Sequence, residues 1–278
     1  MQDYQDDSAV FKLLELGDPT SIGDWSIYND LGITIEHLDE LSQMAIDVDV
    51  LNSPTDDFWA GPIHAWRMLS QLGTEKAIAP LIRALQEMSQ ELWDWVGEEF
   101  PTAFTNIGPS AIPALADLIG NREAVDDSRQ IAVYCITAIY QKYPDIRADA
   151  IAVLTKQLED FENNDPDLNG ALVSDLVVDF RAIESIDVIE RAFDADCVNE
   201  AFMGDWGEVQ VELGLKDRSE VPEKTFFNDM QFNPWEYYRK PESTGFVPGH
   251  HGKIPKTKAK SKRQAQSASR RKNRSKKK

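Results

Sequence analysis

The residues best suited to chemistry in this chain are tryptophans set beside carboxylates. They fall in four places: Asp56-Asp57-Phe58-Trp59, Trp66, Trp93-Asp94-Trp95 with Glu98-Glu99, and Asp205-Trp206 with Glu208. An indole face attracts an ammonium or guanidinium group, and a neighbouring carboxylate adds charge-assisted hydrogen bonds. Such sets suit recognition of a cationic, arginine-rich segment rather than bond breaking. The candidate protein-binding residues are Trp66, Trp93, Trp95, Glu98, Glu99 and Trp206. The competing account is packing, in which tryptophans fill gaps between helices while the acids face water. For any single residue that is the commoner fate. Trp93 and Trp95 limit it, because residues two apart lie about 200° around a helix and cannot both face one core.

Groups that could carry a reaction are scarce. A histidine-rich metal site needs several imidazoles converging, whereas His37 and His64 each stand alone and His250-His251 lies far along the chain. No GxSxG, phosphate-binding loop or GxGxxG motif opening a helix occurs. Cys135, inside Ile131-Ala132-Val133-Tyr134-Cys135-Ile136, reads as an inert core thiol. Cys197 follows Asp194-Ala195-Asp196, whose charges disfavour a thiolate. No catalytic residue, metal or cofactor is expected. Two cysteines without a CxxC pair suit a reducing cytosol.

The elements that must position these residues show themselves as a repeat. Ile, an apolar residue at +3 and another at +7 recur as Ile78–Leu81–Leu85, Ile112–Leu115–Ile119, Ile151–Leu154–Leu158 and Ile186–Ile189–Phe193. Offsets of 3 and 7 place all three side chains on one helical stripe. Each stripe follows another helical segment: Phe58–Leu72, Glu91–Ile107, Ser128–Tyr143 and Leu168–Ala182. Leu72-Gly73-Thr74 and Ile107-Gly108-Pro109 read as junctions, a glycine ending one helix and Thr or Pro starting the next. Asp145 is the expected N-cap of the third junction, and Pro101 should kink or break its helix. Ile35–Ile46 reads as an N-terminal cap, and Val198–Phe202 and Gly207–Leu215 as short closing helices.

Charge divides the chain unevenly. Residues 253–278 hold 13 Lys or Arg and no acid, whereas residues 1–252 hold 16 bases against 48 acids, a formal −32. Such a body opposes DNA binding, which draws most of its affinity from phosphate contacts. The tail suits it: Lys258, Lys260, Lys262, Arg263, Arg270, Arg271, Lys272, Arg274, Lys276, Lys277 and Lys278 could hold a polyanion such as ribosomal RNA. Without aromatic residues to stack on bases, that contact would be non-specific. A +13 segment is equally able to visit its own −32 body. The acidic start Met1–Asp7 does not resemble a secretory signal, and no apolar run approaches the roughly 18–20 residues of a membrane span. A cytosolic, membrane-free chain is expected.

The run Ile63-His64-Ala65-Trp66-Arg67, with Ala77-Ile78-Ala79-Pro80-Leu81 and Ile107-Gly108-Pro109-Ser110-Ala111-Ile112-Pro113-Ala114-Leu115, resembles bacterial HEAT-repeat proteins of the phycobilisome-lyase-like type. The resemblance covers roughly residues 35–215 and implies a fold without fixing an activity, since many members with these repeats attach no bilin.

These readings combine into one expectation. The fold is all-α, a HEAT-like solenoid of about four helix pairs with helical caps. Residues 1–34 form a partly helical N-terminal segment, 35–215 the repeat domain, 216–252 an aromatic-rich, partly docked segment, and 253–278 a disordered basic tail. The function is a non-catalytic protein-binding scaffold for a partner with a basic segment. The alternatives are bilin attachment, implied by the resemblance, and ribosome or nucleic-acid contact through the tail.

Overall fold

In the computed structural model, which describes residues 8–52 and 58–221, each isoleucine stripe lies on a helix. The α-helices are α1 (Leu38–Met44), α2 (Val48–Leu51), α3 (Gly61–Gln71), α4 (Ile78–Met88), α5 (Trp93–Ile107) and α6 (Ile112–Gly120). They continue as α7 (Asp126–Lys142), α8 (Arg147–Leu158), α9 (Pro166–Ser174), α10 (Ile186–Asp194) and α11 (Trp206–Glu212). No strand occurs among the described residues, so this part of the chain is all-α.

The stripes explain the burial. Leu81 and Leu85 of α4, Leu115 and Ile119 of α6, Leu154 and Leu158 of α8 and Ile189 of α10 are buried. Arg83, Lys156 and Glu190, on the other sides of their helices, are exposed. Helices α3, α5, α7 and α9 touch in succession, as do α4, α6, α8 and α10, which makes two rows. Second-row helices seat against first-row ones: α4 meets α3 and α5, α6 meets α7, and α8 meets α7 and α9.

A three-residue 3-10 turn precedes every second-row helix: Glu75–Ala77, Pro109–Ala111, Pro144–Ile146 and Ile183–Ser185. Gly73 ends α3 at φ 58°, and the Thr74 hydroxyl accepts from the Lys76 amide. Asp145 is not the expected N-cap. It lies within a turn opened by Pro144 and makes no capping bond there, because the proline already sets the backbone for the turn. Pro101 does not break α5, which runs through it from Trp93 to Ile107. Flanking tertiary contacts offset the lost N–H: Phe100, Ala103 and Phe104 around it are fully buried.

Among the described residues, the two ends of the first row are covered and its middle is not. Four 3-10 turns, Val10–Leu16, Pro19–Ser21, Trp25–Leu31 and Ile35–His37, precede α1, and the first and third pack against α3. They bury Val10, Leu13 and Tyr28 completely, so the N-terminal cap begins well before residue 35. At the other end α9 continues into a π-helical turn, Asp175–Asp179. Val198–Phe202 is not a helix. It folds as turns that set Phe202 on Gly170, where a Cβ would come within 2.5 Å of the ring. Helix α11 starts at an Asp205 cap, its carboxylate accepting from the Glu208 amide at 3.1 Å. Residues of α3 and α9 are consequently almost all buried, whereas α5 and α7 keep Asp94, Glu98 and Gln141 exposed.

Candidate functional site

Helix α3, Gly61-Pro62-Ile63-His64-Ala65-Trp66-Arg67-Met68-Leu69-Ser70-Gln71, sets His64, Arg67 and Gln71 at offsets of 3 and 7, one polar stripe on an otherwise largely apolar helix. Residues 61–70 are nonetheless all buried, and the helix carries its single charge, Arg67, into the interior with it. Arg67 is 2% exposed and Glu99 of α5 is 7% exposed. The Arg67 Nε–H donates to Glu99 Oε2 at 2.9 Å, and its Nη2 pairs with Glu99 Oε1 in a two-pronged contact. Trp66 Nε1–H donates to the same Oε2 at 2.8 Å. The guanidinium carbon lies 5.1 Å from the Trp25 ring centre and 6.0 Å from that of Trp95.

The network extends into the N-terminal segment. Arg67 Nη1 donates to the carbonyls of Pro19 (3.0 Å) and Ile22 (3.4 Å) and to the Tyr28 hydroxyl (3.4 Å). Tyr28 in turn meets His64 Nδ1 at 2.6 Å, and His64 Nε2 meets the Gly17 carbonyl at 3.1 Å. A carbonyl can only accept, so Nε2 carries the proton and Nδ1 of neutral His64 accepts from the phenol. Burial, with Arg67 nearby, holds the His64 pKa down at about 4, against the opposing pull of the Gly17 bond and the Asp18 charge. Burial also pushes the Tyr28 phenol up to about 12. For Arg67 burial works against the charge, yet the bonds and charge of Glu99 and the contact with Tyr28 outweigh it, and its pKa rises.

This geometry corrects the sequence-based site. Trp66 is completely buried, its ring edge-on to Phe100 at 5.1 Å. Glu99 is taken up by Arg67, and half-buried Trp95 packs on Trp59 with ring centres 6.2 Å apart. These three residues do form a tryptophan–carboxylate setting for a guanidinium, but the guanidinium is the chain's own. Arg67 was the residue missed. Its one signal in the sequence was being the lone charge between Asp57 and Glu75.

Trp93, Asp94 and Glu98 are the members that face outward, with Trp93 56% exposed. They belong to an acidic row. The charged residues of α5, α7, α9 and the π turn are Asp94, Glu98, Glu99, Asp126, Asp127, Asp167, Asp175 and Asp179 against Arg129 and Lys142. Arg129 is itself buried, donating to the Ile119 carbonyl at 2.8 Å. The second row is mixed, with Arg83, Arg147, Lys156 and Arg191 among its charges. Half-buried Asp127 has its pKa raised, by burial first and then by Asp126 and Asp167.

The remaining candidates are scattered. Half-buried Trp206 opens α11 and packs on Phe193, ring centres 5.9 Å apart, away from the α5 group. Asp56, Asp57 and every tail residue from Lys258 to Lys278 lie outside the described residues. Buried Cys135 has its thiol pKa pushed well up by desolvation, and Cys197 is half-buried. Among the described residues no group of three or more His, Cys, Asp or Glu could hold a metal ion, and no helix is long and apolar enough to cross a membrane. Comparison with known proteins finds no matching family model, no similar curated protein and no similar solved structure.

Proposed function

We propose that the chain is a non-catalytic binding scaffold, a HEAT-like solenoid of about four helix pairs, whose exposed first-row face takes a lysine- or arginine-rich segment of a partner protein. The pairs would be α3 with α4, α5 with α6, α7 with α8 and α9 with α10. The observation that carries the reading is Trp93. It is 56% exposed at the first turn of α5, adjacent in sequence to exposed Asp94, with exposed Glu98 one helical turn beyond Asp94. A tryptophan left in water adds little to folding, whereas at an interface it is among the strongest anchors. Acids around it would steer a basic segment in and match its charge.

The test titrates a fluorescein-labelled arginine-rich peptide into the full chain and into Trp93→Ala and Glu98→Ala, reading anisotropy at two salt concentrations. Each substitution should weaken binding by roughly fivefold or more, consistent with about 1 kcal/mol per lost contact, and high salt should weaken it further. Equal affinity for all three chains would remove this face from the proposal. A second reading has its own observation, the 13 Lys or Arg without an acid in residues 253–278. It expects co-sedimentation with ribosomes at low salt, lost when those residues are deleted. Bilin attachment has only the sequence resemblance behind it.

A further inference from the structure

Two buried side chains of α3 grip the N-terminal segment by its main chain. His64 donates to the Gly17 carbonyl, and Arg67 donates to those of Pro19 and Ile22. Every residue offers a carbonyl, so these bonds read a chain path rather than particular side chains. Selectivity comes from Tyr28, which donates to His64 Nδ1, and from the Trp25 ring over the guanidinium. The segment itself holds only 3-10 turns, whose own hydrogen bonding is weak. Its path is set by the face it lies on.

The tether follows this grip and is partly held as well: Asn29 Nδ2–H donates to Gln71 of α3 at 3.5 Å, the Leu31 carbonyl accepts from Lys12, and Ile33 is buried. Between Leu31 and Ile33, exposed Gly32 sits at φ 74° with no atom within 4 Å of where a Cβ would lie, so the tether passes through one left-handed position that can be strained without a clash.

We propose that the outer face of α3 is a peptide-docking groove filled in cis by residues 17–28, and that the same segment of a second copy can fill it, giving an exchanged dimer. The exchanged and unexchanged forms make one and the same set of contacts at the groove. Their balance then depends on the tether and on protein concentration.

The experiment uses the full chain, a labelled peptide of residues 8–34, and the Gly32→Val variant, which strains the tether without touching the groove. A β-branched residue at positive φ costs about 1–2 kcal/mol, which predicts roughly tenfold tighter peptide binding to the variant than to the parent. A peptide carrying Trp25→Ala and Tyr28→Phe should bind neither chain. Light scattering should show a dimer fraction in Gly32→Val that grows with concentration. The groove is overturned if the labelled peptide binds neither chain or if both peptides bind alike. A variant that binds peptide yet stays monomeric up to millimolar concentration overturns the second copy as occupant. Loss of arginine-rich peptide binding at Trp93 would leave all of these outcomes unaffected.

Discussion

Helix α5 carries the same two residue types twice within its first two turns. Trp95 and Glu99 turn inward and surround Arg67; Trp93 and Glu98 turn outward, into water. Composition does not separate the two sets, but helical phase does, since a step of one residue is about 100° and a step of two about 200°. The inner set already has its cation. Trp93 of the outer set is 56% exposed, and Asp94 and Glu98 are exposed on the same helix. For Trp95 and Glu99, the guanidinium that such residue types suit is the chain's own Arg67.

The sharpest way to break the comparison is to remove one partner of the inner set. Glu99→Ala should cost about 3–5 kcal/mol in chemical denaturation, because it strands a buried guanidinium. Arg67→Met with Glu99→Leu should recover only part of that loss: it removes the stranded charge, yet the Pro19 and Ile22 carbonyls and the Trp66 indole lose their partners. A double variant as stable as the parent would mean that those further bonds add nothing to the fold.

His64 gives the next effect in size, and its sign is fixed by the direction of its shift. Its pKa is about 4 in the folded chain against 6.5 ordinarily, so the fold favours neutral imidazole and the unfolded chain takes the extra proton. The stabilisation is complete above pH 6.5 and is lost as pH falls from there toward 4, by at most about 3 kcal/mol. Denaturation curves of parent and His64→Gln should differ in pH slope over that window and run parallel above pH 7. Parallel curves throughout would mean that His64 titrates normally.

The smallest effect belongs to the outer set. Trp93→Ala should change stability by less than about 0.5 kcal/mol, as an exposed substitution does, while it weakens peptide binding. A loss near that of Glu99→Ala would place Trp93 with the structural residues.

The helices were legible because the stripes from Ile78, Ile112, Ile151 and Ile186 repeat one local rule, and local rules show in a linear sequence. Gly73 was legible for the same reason. The N-terminal turns before residue 35 were not, because 3-10 turns such as Trp25–Leu31 have no long apolar period and owe their course to α3. The Arg67 network joins residues 32 to 48 positions apart, and nothing in either neighbourhood names the other. Asp145 failed as a cap because Pro144 starts its turn one residue earlier.

The Arg67 network also sets an order of events during synthesis. Residues 17–28 leave the ribosome before α3 and α5, yet the guanidinium that holds them needs the carboxylate of Glu99, made some seventy residues later. Contacts between neighbouring helices close short loops and form early, whereas this one must wait for the intervening chain. A segment made before the body that holds it should thus be among the last to settle. Pulse-labelled exchange during refolding should find its amides protected after those of α5 and α7. Until then α3 shows the solvent an apolar side with an unmatched charge, and a nascent chain paused before Glu99 is the form of this protein most prone to aggregate.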